Sequence, residues 1–226
     1  MKSRNHALTL ATLGMMLTLS ACALTRQSRG VDTSGFLGSY AGLREGGSGE
    51  AQLVYINSRT NFASYDKVLV EPVTIWAGAD SDVAKLPEED RQLLVDYLDE
   101  SLRNSLSQDY AIVDRPGPGV MRVRVAITEA KGSKVALDTV STVVPQLRVL
   151  TTVGGLATDV QTFVGRAGVE AELQDSLTEE RLAAAVDRRA GNKALRGVTS
   201  KWSDVQAAFD HWSERLRTRL GELRAR

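Results

Sequence analysis

Cys22 is the only cysteine in the 226-residue chain, so no intramolecular disulfide can form and any stability must come from a packed core. Beyond it, the residues able to do chemistry are few. The chain has two histidines, His6 and His211. Without a second His near His211 or a free Cys, transition-metal sites lack their usual ligands. His211 has the side chain of a general base, but it lies beside Trp212 in a helical pattern with no carboxylate spaced to orient it. A surface or half-buried helix position is the expectation. Asp175, Glu179 and Glu180 cluster at a turn and offer the oxygens that calcium takes, yet their spacing is not that of an EF-hand loop, so a solvated turn is expected. Gly154-Gly155 lacks the Lys and Ser/Thr of a phosphate loop, and neither a strand–GxGxxG–helix nor a GxSxG elbow occurs. Arg215, Arg217, Arg219, Arg224 and Arg226 invite a phosphate or lipopolysaccharide site, but Glu214 and Glu222 are interleaved, which favours a solvated helix face. No catalytic, cofactor or metal set is assigned. The chain is read as non-enzymatic.

The surroundings of Cys22 give it a role. Lys2 and Arg4 form a short positive start, followed by an apolar run over residues 7–19. That run is about 13 residues, short of the ~20 that a helix needs to cross a bilayer core, so it reads as an export signal. Leu19-Ser20-Ala21-Cys22 then resembles the lipobox of bacterial lipoproteins: aliphatic, small, small, cysteine. The resemblance implies cleavage after Ala21, a diacylglycerol on the Cys22 sulfur and acylation (palmitate) of its freed amine. Each buried methylene contributes roughly 0.8 kcal/mol, so three chains hold where one binds only reversibly. Ala23, rather than Asp, after the cysteine implies the outer membrane of a Gram-negative host, facing the periplasm.

Cleavage would remove two of the 28 basic residues and none of the 28 acidic ones, leaving a charge near −2 on about 205 residues, enough for one domain and a tether. That balance gives no global pull toward nucleic acid or anionic lipid. No later run is apolar enough to span a membrane, so the acyl chains on Cys22 are the expected contact with membrane lipid.

These features depend on elements that the pattern outlines. Residues 22–64 are rich in Ser, Gly, Arg and Gln, with Gly46-Gly47-Ser48-Gly49, and read as a flexible tether. Within it, Phe36, Leu37, Tyr40 and Leu43 form a patch at 34–43 that is too apolar for free linker; docking on the domain is the plainer reading, a partner-binding peptide the sharper one. A single domain over 65–226 follows. Val68-Leu69-Val70 and Val73-Thr74-Ile75-Trp76 read as a strand, with Pro72 demanding a bulge or an edge. Pro87-Glu88-Glu89-Asp90 opens a helix carrying Leu94, Tyr97, Leu98, Leu102 and Leu106 on one face. Residues 110–113 form a short strand, and Met121, Val123, Val125 and Ile127 alternate with Arg122 and Arg124 in another. Residues 132–165 stay open between a loop, short covering helices, and a segment touching membrane or partner. Ala167, Val169, Ala171 and Leu173, then Leu182, Ala184 and Val186, give a hairpin. Trp202, Val205, Phe209, Trp212, Leu216, Leu220 and Leu223 mark a long amphipathic helix, which packs on the sheet or pairs with another helix. The order β-α-β-β-β-β-α predicts an α+β fold: a mostly antiparallel sheet with two main helices packed on it.

The lipobox, the patch at 34–40, Tyr65-Asp66-Lys67-Val68-Leu69-Val70-Glu71-Pro72-Val73 and Glu170-Ala171-Glu172-Leu173-Gln174-Asp175-Ser176 together resemble the bacterial lipoprotein family known as domain of unknown function 3313. The resemblance covers the mature chain and implies its address and single domain, without a mechanism. A Gly commonly follows the Asp-Ser-x-Thr of that hairpin; Glu179 stands there here, which implies a different turn. Three functions remain open. A membrane-tethered binding or scaffolding module for an envelope protein partner accords with the tether and the missing catalytic set. A carboxylate-based hydrolase of envelope polymer needs a cleft with two facing acids. A small-ligand or lipid carrier needs an apolar cavity between sheet and helices.

Overall fold

The computed structural model describes residues 25–27, 32–133, 165–191 and 200–226. The signal segment, Cys22, Gly154-Gly155 and nearly all of 132–165 lie outside them. The elements are β1 (Thr25–Gln27), β2 (Arg44–Glu45), β3 (Leu53–Ile56), β4 (Lys67–Val70), β5 (Thr74–Ile75), α1 (Glu88–Leu106), β6 (Ala111–Ile112), β7 (Val120–Lys131), β8 (Arg166–Asp175), β9 (Arg181–Gly191) and α2 (Ser203–Arg224). The strands form one nine-stranded sheet in the order β2-β3-β9-β8-β7-β4-β6, with β1 beside β9 and β5 beside β7. Pairing is antiparallel except where β4 and β5 join β7 and β6 joins β4. The fold is α+β, mostly antiparallel, with both helices on one face.

Bulges set the phase of the sheet, and two of them bear on the site. Val70 pairs with Val123 and Thr74 with Ala126, so four steps along one chain match three along its neighbour, and the extra residue falls at Pro72. Pro72 has no N–H to offer a ladder, which is why the break sits there. In the hairpin, Leu173 pairs with Ala183 but Gln174 pairs with Arg181, leaving Leu182 as the additional residue. Leu182 and Ala183 therefore both enter the core, while Ala184 and Val186 face the opposite side. Reading Leu182, Ala184 and Val186 as one face is corrected by that single bulge.

The helices cover one face because their apolar stripes match it. Leu94, Leu98, Leu102 and Leu106 of α1 pack with Val205, Phe209, Leu220 and Leu223 of α2 over Val68, Val123, Ile127, Val169 and Leu173. Of the two expectations for α2, packing on the sheet is the one observed, and α1 packs beside it. Polar contacts fix how the helices cross: Tyr97 and Ser101 donate to Asp210, and the buried Ser105 hydroxyl donates to the Ser213 carbonyl at 2.9 Å.

The tether expected through residue 64 is corrected from residue 32 onward. β2 and β3 extend the sheet beyond β9, pairing Leu53, Val54, Tyr55 and Ile56 with Val186, Ala185, Ala184 and Ala183. The glycines of 46–49 close the β2–β3 hairpin: the Gly46 N–H donates to Gln52 O, and a Cβ on Gly46 would lie 1.8 Å from the Ala51 carbonyl oxygen. Composition suggested flexibility where geometry demands glycine. The patch at 34–43 crosses the sheet face opposite the helices as a strap, packing Leu37, Phe36, Tyr40 and Leu43 against Leu53, Tyr55, Ala184 and Val186.

Candidate functional site

The strap sits over the acids that a hydrolase would need. Glu170 and Glu172 are two residues apart on β8 and so project from the same face. Glu170 is fully buried and accepts from the Ser34 N–H and the Tyr40 hydroxyl, both at 2.6 Å. Burial, then the hydrogen bond to Glu170, holds the Tyr40 phenol above its ordinary value. Glu172 pairs with Arg124 at 2.7 Å and with Arg181, whose other nitrogens donate to the carbonyls of Leu37 and Ser39. Both carboxylates are thus spent holding the strap rather than facing a cleft. At one edge of the strap, Phe36 meets Trp76 edge-on at 5.9 Å and carries the Arg124 guanidinium 5.1 Å above its ring.

The opposite face holds an opening. Val125, Ala171, Ala185 and Val54 form one row across four strands, and Val123, Leu173, Ala183 and Ile56 form the next. Ala171 and Ala185 lie mid-sheet beneath α2, where side chains are ordinarily sealed, yet both remain partly exposed. Their methyl groups are too short to reach Trp212, Leu216 and Leu220 on the helix above. The result is an apolar cavity of about 150 Å³. Engineered cavities of about that volume, lined by aliphatic groups, stay dry and admit benzene.

Charged residues mark its rim: Glu50, Asp187, Arg215 and Arg219. The Asp187 carboxylate is buried and accepts from Trp212 Nε1 at 2.7 Å, from Gln27 Nε2 at 2.7 Å and from the Gln52 N–H at 3.2 Å. It therefore orients the indole that forms one wall. Arg219 donates to Glu50 at 2.8 Å and to Glu222 at 2.7 Å. The Glu50 carboxyl is held below its ordinary range by the Gly47 N–H, then by Arg44 and Arg219.

The residues singled out by type distribute unevenly. His211 is half-buried on α2; burial and then the nearby Arg189 push its pKa down, with Asp187 pulling the other way. Asp175 accepts from the N–H groups of Leu177 and Thr178, the Thr178 hydroxyl and the Tyr65 hydroxyl, which makes it the organiser of the turn. Burial acts against its charge, but those bonds leave its pKa lowered. No group of three metal-capable side chains occurs among the described residues. Of the C-terminal arginines, Arg217 pairs with Asp109 while Arg215 and Arg219 turn to the cavity rim, so the even solvated face is corrected for those two. Ala171, Ala183, Ala185 and Asp187 went unnoticed as a group because nothing in their types announces a site. Only the strand register brings them together. No helix among the described residues is long and apolar enough to cross a membrane.

Known proteins are similar to this chain over most of its length. The chain is 26% identical over 172 residues to the uncharacterized lipoprotein YdcL of Escherichia coli (strain K12), covering 75% of this chain and 76% of that one. Among solved structures it is similar to a PelC dodecamer subunit from Paraburkholderia phytofirmans, with 17% identity, 73% and 96% of the two chains covered and a TM-score of 0.38. It is also similar to a Xanthomonas campestris protein assigned to DUF330, with 10% identity, 75% and 93% covered and a TM-score of 0.42. The family described as "Protein of unknown function (DUF3313)" matches residues 32–216, which spans the strap, every strand of the sheet except β1, and most of α2; the chain belongs to that family.

Proposed function

We propose that this chain is a lipid-anchored envelope lipoprotein that binds an apolar group, without chemistry, in the cavity between the sheet and α2. One observation carries the reading: Ala171 and Ala185 stay partly exposed at the middle of a sheet that α2 otherwise covers. A folded chain normally fills such a row, because unfilled apolar volume costs contacts. A row kept empty, walled by an indole that Asp187 orients, is what an apolar ligand requires.

The anchor supports this role. Export on residues 1–21, cleavage after Ala21 and acylation of Cys22 would fix the mature chain in the outer membrane, facing the periplasm. Cys22 precedes β1 by only three residues, a reach of at most about 11 Å. Gln27 of β1 itself bonds Glu50 O and Asp187 at the cavity rim. The opening would therefore stand beside the membrane surface rather than at the end of a long tether. A protein partner in the envelope is a second reading, favoured by Trp76, which is 49% exposed beside Phe36.

A neutral probe tests the cavity. Trp212 lines it, so ω-bromo-octanol should quench tryptophan fluorescence saturably in the mature chain, and Trp212→Phe should abolish the saturable part. Ala171→Leu, which fills the floor, should abolish it with the melting temperature preserved or raised. Quenching that is linear in the probe, or that survives Ala171→Leu, would refute the reading.

A further inference from the structure

Beside the apolar cavity, and sharing Glu50, Val54, Tyr55, Ile56, Arg219 and Leu223 with it, lies an open basin of about 820 Å³. Its chemistry is different. Arg44, Arg219, Arg224 and Arg226 line it, and Glu50 is the single acidic side chain among its lining residues. Asn57, Ser58, Thr60 and Asn61 add neutral polar groups on the far wall. We infer that the ligand is an anionic amphiphile, its chain in the alanine-floored cavity and its phosphate-type head among these arginines, supplied by the membrane leaflet beside Cys22. The inference rests on the apolar-binding reading above and adds the class of head group.

The charge count is local and does not follow from the chain as a whole, whose acidic and basic residues are equal in number at 28 each. Arg219 is already shared between Glu50 and Glu222, and Arg44 reaches Glu50 at 3.1 Å. Allowing for both pairings, guanidinium charge remains in excess in the basin. The C-terminal end of α2 opposes an anion with roughly half a unit charge, which the neighbouring Arg224 and Arg226 more than offset. Guanidinium groups also match a phosphate in shape, since each can donate two parallel hydrogen bonds.

Glu50 occupies the junction. Its carboxylate lies between Arg44 and Arg219 at the boundary of cavity and basin, where the head of a chain-bearing anion would sit. It thus behaves as an internal anion that a ligand must displace, and neutralising it should release two donors. The short span from Cys22 to β1, whose Gln27 side chain bonds the Glu50 carbonyl, brings this junction to the leaflet surface.

Calorimetry on the mature chain carrying Cys22→Ser, which leaves every described contact intact, separates the terms. Octyl phosphate, octanol and inorganic phosphate are titrated in parallel. Octyl phosphate should bind at least about tenfold more tightly than octanol, and inorganic phosphate more weakly than either. Arg44→Gln and Arg219→Gln should erase the preference for octyl phosphate over octanol, whereas Glu50→Gln should enlarge it by several-fold, a gain that misfolding cannot imitate. Equal binding of octyl phosphate and octanol would overturn the head-group inference and leave the cavity reading standing. Binding of neither would overturn both. Inorganic phosphate bound as tightly as octyl phosphate would make the basin a free-anion site and overturn the amphiphile.

Discussion

Glu179 takes a φ of +59°, the left-handed conformation that glycine adopts freely and other residues at a cost of roughly 1–2 kcal/mol. Glu179 thus holds, without being glycine, a backbone conformation that favours glycine. Asp175 explains why: it accepts from Leu177 N, Thr178 N and the Thr178 hydroxyl, fixing the loop before Glu179 is reached. The Glu179 carboxylate offsets little, since its 3.4 Å contact with Arg122 is largely exposed. Glu179→Gly should raise stability by about 0.5–1 kcal/mol in chemical denaturation; an unchanged or lower midpoint would show that strain is absent. His211 makes a second residue-scale prediction. Burial first, and Arg189 next, depress its folded pKa below the ordinary 6.5, so the unfolded chain binds its proton more readily. The associated stability is present above that value and is lost as pH falls below it. His211→Gln should flatten the fall in stability as pH drops below 6.5, and an equally steep profile in the variant would assign the dependence elsewhere.

At the level of elements, periodicity was a good guide where an element was long and poor where it was short. The leucine stripe of α1 and the aromatic-aliphatic stripe of α2 repeat over several turns, and the structure gives both helices within a residue or two of the expected ends. β2 has two residues and β3 four, too few to show alternation, and glycines beside them imitate linker composition. The strap was visible as an apolar patch, but not its latch, because Arg181 lies about 140 residues away in sequence. Arg181 joins Leu37 O, Ser39 O and Glu172 in one side chain. Arg181→Ala should cost about 1–3 kcal/mol and accelerate amide exchange across residues 35–43 with little change in α1. Uniform acceleration through both helices would mean that the strap is not a separable layer.

For the whole molecule, the resemblance to a lipobox is read from sequence, whereas the cavity under α2 is visible only in the structure. Nothing in the types of Ala171, Ala183 and Ala185 announces a site, because alanines in strands are ordinary. Register alone aligns them, and the bulge at Leu182 determines which of the β9 alanines face α2. The basin was half legible: the C-terminal arginines stood out, while Arg44 and Glu50 join them only through the β2–β3 hairpin. The space under α2 should receive an apolar chain. Intermolecular nuclear Overhauser effects between protonated octyl phosphate and alanine methyl groups in the otherwise deuterated mature chain test it most directly. Cross-peaks are expected from the chain methylenes to the Ala171, Ala183 and Ala185 methyls; cross-peaks confined to methyl groups outside the cavity, or none to these three at saturating ligand, would refute binding there.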